Sequence, residues 1–168
     1  MKMICLPKPA GIMHSNNMLK GYSLVELMIV IALLAIASTI AIPAWQRYVQ
    51  NSNLRTATRE LTSDIVRLKT RAISEKIQYR ISFPTLPAST YTIDQGTATG
   101  TPYNTIQTKD LSVEGRGVNI SNTSIPRITF QPRGTCLAGT FVLTNSLGST
   151  ATIVTNITGR INVTYQMQ

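Results

Sequence analysis

Twenty residues without a charge, from Leu27 to Gln46, dominate the pattern of apolar and polar positions along this chain. Ser38 and Thr39 are the only polar residues in that run before Gln46. At about 1.5 Å per residue, roughly twenty helical residues cover the ~30 Å hydrocarbon core of a bilayer. The run therefore predicts a helix able to span a membrane. A buried core helix rarely runs so far without charge.

Helical spacing continues past Pro43. Leu54, Ala57, Leu61, Ile65, Leu68 and Ala72 recur at steps of three and four, which is one apolar stripe. Arg55, Arg59, Asp64, Arg67 and Arg71 fall off the stripe. The pattern predicts a single helix from about Ser23 to Ser74. Its first half is apolar all round and its second half amphipathic. A bend is expected near Pro43, where proline removes a backbone bond.

After Lys76 the period changes to two. Ile77, Tyr79, Ile81 and Phe83 alternate with polar residues, as in a half-buried strand. Further strands are expected at 90–93, 118–120, 127–130, 140–143, 151–154 and 160–165. "NSLGS" joins two apolar-rich runs and reads as a hairpin loop. The stretch from Gly96 to Asp110 has the least pattern and reads as a mobile loop. The fold class is α+β: a long N-terminal helix packed on an antiparallel, β-rich domain. The sheet face against the helix is expected to hold Ile77, Tyr79, Phe130, Phe141 and Val154 or their neighbours. A one-residue error of register would reverse that face.

Composition refines this picture. The chain has 168 residues, 43% hydrophobic and 14% charged. Residues 1–21 hold three lysines, Lys2, Lys8 and Lys20, and no acid. A basic head before an apolar run is similar to a secretory signal, but this run is long and has no clean small-residue cleavage site at its end. The small residue, Gly21, lies before it. The lysines favour a cytoplasmic N-terminus, and Arg47, Arg55 and Arg59 on the far side weaken that count. Beyond Gly21 thirteen basic residues face seven acids, a net charge of +6 and a mild bias toward anionic surfaces. A cut at Gly21 would remove Cys5 and leave Cys136 alone, so no intrachain disulfide could form.

Catalytic chemistry is sparse. The one histidine, His14, lies in the leader, which removes histidine-based triads and metal sites from the remainder. Cys136 reads as a small buried hydrophobe rather than a nucleophile. Glu60, Glu75, Asp94, Asp110 and Glu114 are scattered and read as solvated surface residues. No phosphate-binding or dinucleotide motif is present. Neither an enzyme, a cofactor nor a metal site is expected.

One acid interrupts the apolar segment near its start. The residues Lys20-Gly21-Tyr22-Ser23-Leu24-Val25-Glu26-Leu27 resemble the processing site of type IV prepilins and pseudopilins. The resemblance implies cleavage between Gly21 and Tyr22 by a prepilin peptidase and N-methylation of Tyr22. Phenylalanine is usual at that position, and tyrosine is an aromatic variant. It also implies an assembly role for Glu26, which would pair with the N-terminal amine of a neighbouring subunit. The plain alternative is an acid that merely marks the membrane interface. Pro43 matches a position where the family's helix loosens, and it equally fits the outer membrane edge.

The remainder resembles the GspH/FimT family. Lys69-Thr70-Arg71-Ala72-Ile73 is similar to an "R-x-x-A-I" element that closes the helix, with lysine in place of arginine. "FQPRGTC" is similar to an "F-x-P-x-G" turn, and Gly139 to Val163 resembles the closing hairpin. The implied organisation is a leader at 1–21, a transmembrane assembly helix at 22–45, its amphipathic second half at 46–76, and a β-rich head at 77–168.

Two functions follow from the resemblance. The first is a minor pilin or pseudopilin in a type IV pilus or type II secretion pseudopilus. It would be anchored once in the inner membrane with a periplasmic head, and its partners would be other subunits, the prepilin peptidase and the membrane. The second is DNA binding for uptake through a basic surface of Arg160, Arg116, Arg127 and Arg133. Here Gly159-Arg160-Ile161-Asn162 carries asparagine where the family's "G-R-x-R" element has its second arginine. A third reading is an ordinary single-pass protein with an uncut signal anchor.

Overall fold

The apolar run and the amphipathic stripe form one helix, α1 (Leu24–Glu75). The computed structural model describes residues 21–112 and 117–168. The chain divides into two compact units, Met1–Ile40 and Ala41–Gln168. In the first, the described side chains of α1 are all exposed.

In the second, eight strands follow α1. They are β1 (Tyr79–Ser82), β2 (Thr90–Gln95), β3 (Asn104–Asp110), β4 (Asn119–Thr123), β5 (Arg127–Phe130), β6 (Gly139–Thr144), β7 (Thr150–Thr155) and β8 (Ile161–Gln166). They build two antiparallel sheets, ordered β3-β2-β1-β5 and β4-β6-β7-β8. All six stripe residues of α1, from Leu54 to Ala72, are fully buried. They share one core with Tyr79, Ile81, Tyr91, Ile93, Ile128 and Phe130 of the first sheet and Ile120, Phe141, Leu143, Ala151 and Ile153 of the second. The Phe83 and Phe141 rings, 4.9 Å apart, link the sheets. The helix-on-sheet arrangement thus follows from one stripe of period 3.6 meeting strands of period two.

Four expectations need correction. The stretch expected to be a loop holds β3, which pairs with β2 from Thr90↔Asp110 to Gln95↔Asn104. It is an edge strand with both faces mostly exposed, so no alternation marks it in the sequence. Val154 points outward, and Ile153 and Thr155 take the inner face instead. Ile77 is partly buried but precedes β1. Two acids read as off-stripe or solvated are buried. Asp64 accepts a 2.6 Å hydrogen bond from Tyr91 Oη and pairs with Lys109 at 2.7 Å and Arg67 at 3.2 Å. These contacts tie β2 and β3 to the helix.

Asp94 is the other buried acid. It accepts from Arg80, Ser82 and Thr105 at 2.9, 3.0 and 2.8 Å. Burial alone would raise its carboxyl pKa. The Thr105, Arg80 and Ser82 hydrogen bonds, with the Arg80 charge, outweigh it and hold the carboxyl below the usual range. A lowered folded value contributes stability that is complete above the unfolded value of about 3.9 and lost as pH falls through the folded value. Urea midpoints are expected to drop as pH falls below about 4. An Asp94→Asn chain should show a smaller drop over that interval, and an unchanged one would acquit Asp94.

Candidate functional site

The α1 start is built from a short exposed coil. Among the described residues beyond its chain neighbour, nothing approaches within 4 Å of a Cβ placed at Gly21. Tyr22 is 86% exposed. Ser23 precedes the first helical residue, and its carbonyl accepts from Leu27 N–H at 3.1 Å. Glu26 is exposed and sits in the first turn. Ser23 and Glu26 are spaced as a capping box, in which a glutamate three residues on serves the orphan amide of the cap. A carboxylate there also suits the positive end of the helix dipole. The S-x-x-E spacing was legible in the sequence. Lys20 and the rest of the leader, with Cys5 and His14, lie outside the described residues.

Around Glu26 the helix is apolar on every side. Leu24, Leu27, Met28, Ile29, Ile31 and Leu33 are all more than half exposed. In water such a surface would be unstable, so it needs lipid or other helices around it. The helix continues through Pro43, which has no amide hydrogen for the ladder.

The four arginines proposed as a basic surface do not all converge. Arg160 is exposed at the end of the β7–β8 turn, whose Asn156 Oδ1 accepts from Arg160 N–H at 2.8 Å. Arg133 is exposed in the Gln131–Gly134 turn, closed by a 2.8 Å bond from Gly134 N–H to the Gln131 carbonyl. These two turns touch. A Cβ on Gly159 would lie 3.2 Å from the Gly134 carbonyl oxygen. Arg127 is exposed at the opposite end of β5 from the Gln131 turn. Arg116 and Glu114 lie outside the described residues.

Sequence reasoning missed that Lys69 joins the contact. Its Nζ donates to the Thr158 carbonyl at 2.8 Å and reaches the Gly159 carbonyl at 3.5 Å. The helix-closing element is thereby fastened to the turn before β8. Cys136 is buried beside it, with Sγ 3.2 Å from the Asn156 carbonyl. Gly159 has φ +69°, and a Cβ there would also meet Lys69 Cδ at 2.9 Å. Gly159→Ala should therefore cost about 1–3 kcal/mol, as strained left-handed residues do. Urea unfolding followed by tyrosine circular dichroism checks this. A change within experimental error would mean that the two turns shift freely.

Comparison with known proteins adds two family matches. A model described as "Prokaryotic N-terminal methylation motif" matches residues 17–42. One described as "Type II transport protein GspH" matches residues 57–159. Among curated relatives, the Type IV major alpha-pilin and Fimbrial protein Q of Moraxella bovis are each 45% identical over 47 residues. That is 28% of this chain, and it spans only 30% of the length of each relative. The fold is similar to the type IV minor pilin FimU of Pseudomonas aeruginosa, with TM-score 0.55 and 16% identity over 70% of this chain and 92% of that one. It is also similar to the minor pseudopilin EpsH from the Type 2 Secretion System of Vibrio cholerae, with TM-score 0.56 and 11% identity over 67% and 97% of the two chains. The solution structure of E. coli GspH matches with TM-score 0.56 and 16% identity over 70% and 91%.

Proposed function

The chain belongs to the Type II transport protein GspH family, and on that premise we propose that it is a minor filament subunit stored in the inner membrane before assembly. Cleavage between Gly21 and Tyr22 frees an amine at Tyr22, which is methylated. The apolar half of α1 holds the subunit in the bilayer with the β-rich head on the periplasmic side. Glu26 then meets the amine of a neighbouring subunit. The pairing fixes axial register between apolar half-helices that are otherwise uncharged from Leu27 to Gln46.

The observation that carries this reading is Gly21-Tyr22 followed by Glu26 in the first turn of α1, ahead of an exposed stretch with no charge from Leu27 to Gln46. A lone carboxylate at membrane depth is costly, so it persists where a partner or an interface relieves it. The reading covers a pilus and a secretion pseudopilus equally. Pro43 serves as the point where α1 loosens in the filament. Mass spectrometry of the native protein tests the processing step. A methylated Tyr22 N-terminus is expected, and an intact leader would return the chain to the class of uncut single-pass anchors.

A second reading, DNA binding by the head, draws support from the touching turns that carry Arg133 and Arg160. Phosphate contacts of this kind are salt-sensitive. Gel shifts of the purified full chain at low salt test it. No shift removes the reading, and an undiminished shift with Arg160→Ala clears that residue of a part in it.

A further inference from the structure

Where the apolar run ends, α1 carries Trp45, Arg47 and Tyr48 within about one turn. Trp45 and Tyr48 are each 67% exposed, and their rings lie 6.0 Å apart at a 35° tilt. Indole and phenol rings pair an apolar body with a polar tip, which suits the membrane–water boundary. Arg47 and Arg55 are exposed as well. No acid occurs between Glu26 and Glu60, so the positive charge of this stretch is unopposed in sequence.

The head reaches the same stretch. Ser146 and Leu147 of the β6–β7 turn line a depression together with Trp45, Gln46, Val49 and Gln50. Asn145 and Ser149 hold that turn to Asn51, with bonds of 3.1 and 2.8 Å to its Oδ1. The exposed aromatic pair is therefore set on a braced rim.

We propose that this rim, with Trp45, Arg47, Tyr48 and Arg55 as its contacts, docks on the phosphates of anionic phospholipids. The occupant follows from continuity: the apolar run enters the bilayer at the residue where the aromatic pair begins. Charge complementarity points the same way, since two arginines face a phosphate layer and no carboxylate stands among them. A helical path of nineteen steps from Glu26 to Trp45 rises about 28 Å, close to the hydrocarbon thickness of ~30 Å. This inference rests on the membrane reading given above.

Trp45 is the only tryptophan, so its fluorescence reports depth without mutation. The full chain is reconstituted into phosphatidylcholine vesicles with or without phosphatidylglycerol. Depth is read with lipids brominated near the glycerol or near the chain end, and water access with acrylamide. Strongest quenching by the shallow bromines is expected, with better protection from acrylamide when phosphatidylglycerol is present. Arg47→Gln with Arg55→Gln should abolish the phosphatidylglycerol effect, each arginine accounting for about a fivefold shift toward the docked pose. A chain that floats with vesicles but is quenched best from the bilayer centre, or is fully open to acrylamide, overturns the docking alone. So does a double variant that responds to phosphatidylglycerol as the parent chain does. A chain that fails to float overturns the membrane reading beneath it.

Discussion

Glu26→Ala subunits should enter filaments roughly a hundredfold less often than unaltered ones. That factor follows from the cost of an unpaired charge at membrane depth, about 2.5–3.5 kcal/mol on insertion scales. In the assembled state that charge would be the neighbour's Tyr22 amine, which loses its only complement within an apolar helix bundle. The substitution also removes the carboxylate from the S-x-x-E spacing that begins at Ser23, so alanine alone cannot separate charge pairing from helix capping. Glu26→Gln does. Glutamine keeps a capping acceptor and drops the charge. The pairing account expects both variants to be absent from sheared filament fractions while remaining abundant in membranes. Normal assembly with glutamine would assign Glu26 to capping, and normal assembly with alanine would end the charge-pair account.

Leu61→Ala carries the largest expected loss of stability, about 2–5 kcal/mol, as for other buried leucines. Leu61 is fully buried in the middle of the six-residue stripe. Its side chain belongs to the one core that joins α1 to both sheets. Collapse into the gap is limited, because α1 is held before Leu61 by Asn51 to Asn145 and Ser149, and after it by Asp64 to Tyr91 and Lys69 to Thr158. Urea unfolding of the head is the measurement. A loss under about 1 kcal/mol would mean that the helix rests on the sheets without interlocking.

The sequence was most legible where one period persists. From Leu54 to Ala72 the spacing of α1 could be followed, and each of its six stripe residues is buried. The strand pattern of β1, β5 and β6 was legible for the same reason, since Tyr79, Phe130 and Phe141 alternate with polar neighbours. β3 escaped because an exposed edge strand needs no alternation; Asn104 to Asp110 are held by the ladder to β2 and by Lys109 to Asp64. Asp64 and Asp94 escaped because their partners are distant in sequence. Tyr91 comes from 27 residues away and Arg80 from 14. Val154 was misplaced by a single position, which is all that inverts a strand. At the candidate site, Gly21, Tyr22 and Glu26 were legible as a motif. The Lys69 clasp was not, since it joins residues 89 apart through backbone oxygens that no side-chain pattern reveals.

The placement of Cys136 has a practical consequence. Its thiol is shut inside the head, and burial pushes its pKa up, so little thiolate forms at neutral pH. If processing discards Cys5 with the leader, a cysteine introduced on the surface becomes the one fast-reacting handle on the subunit. Maleimide dyes, spin labels or crosslinkers could then be addressed to Tyr22's end of the helix or to the β3 edge in the wild-type background, and neighbouring copies mapped within an intact fibre.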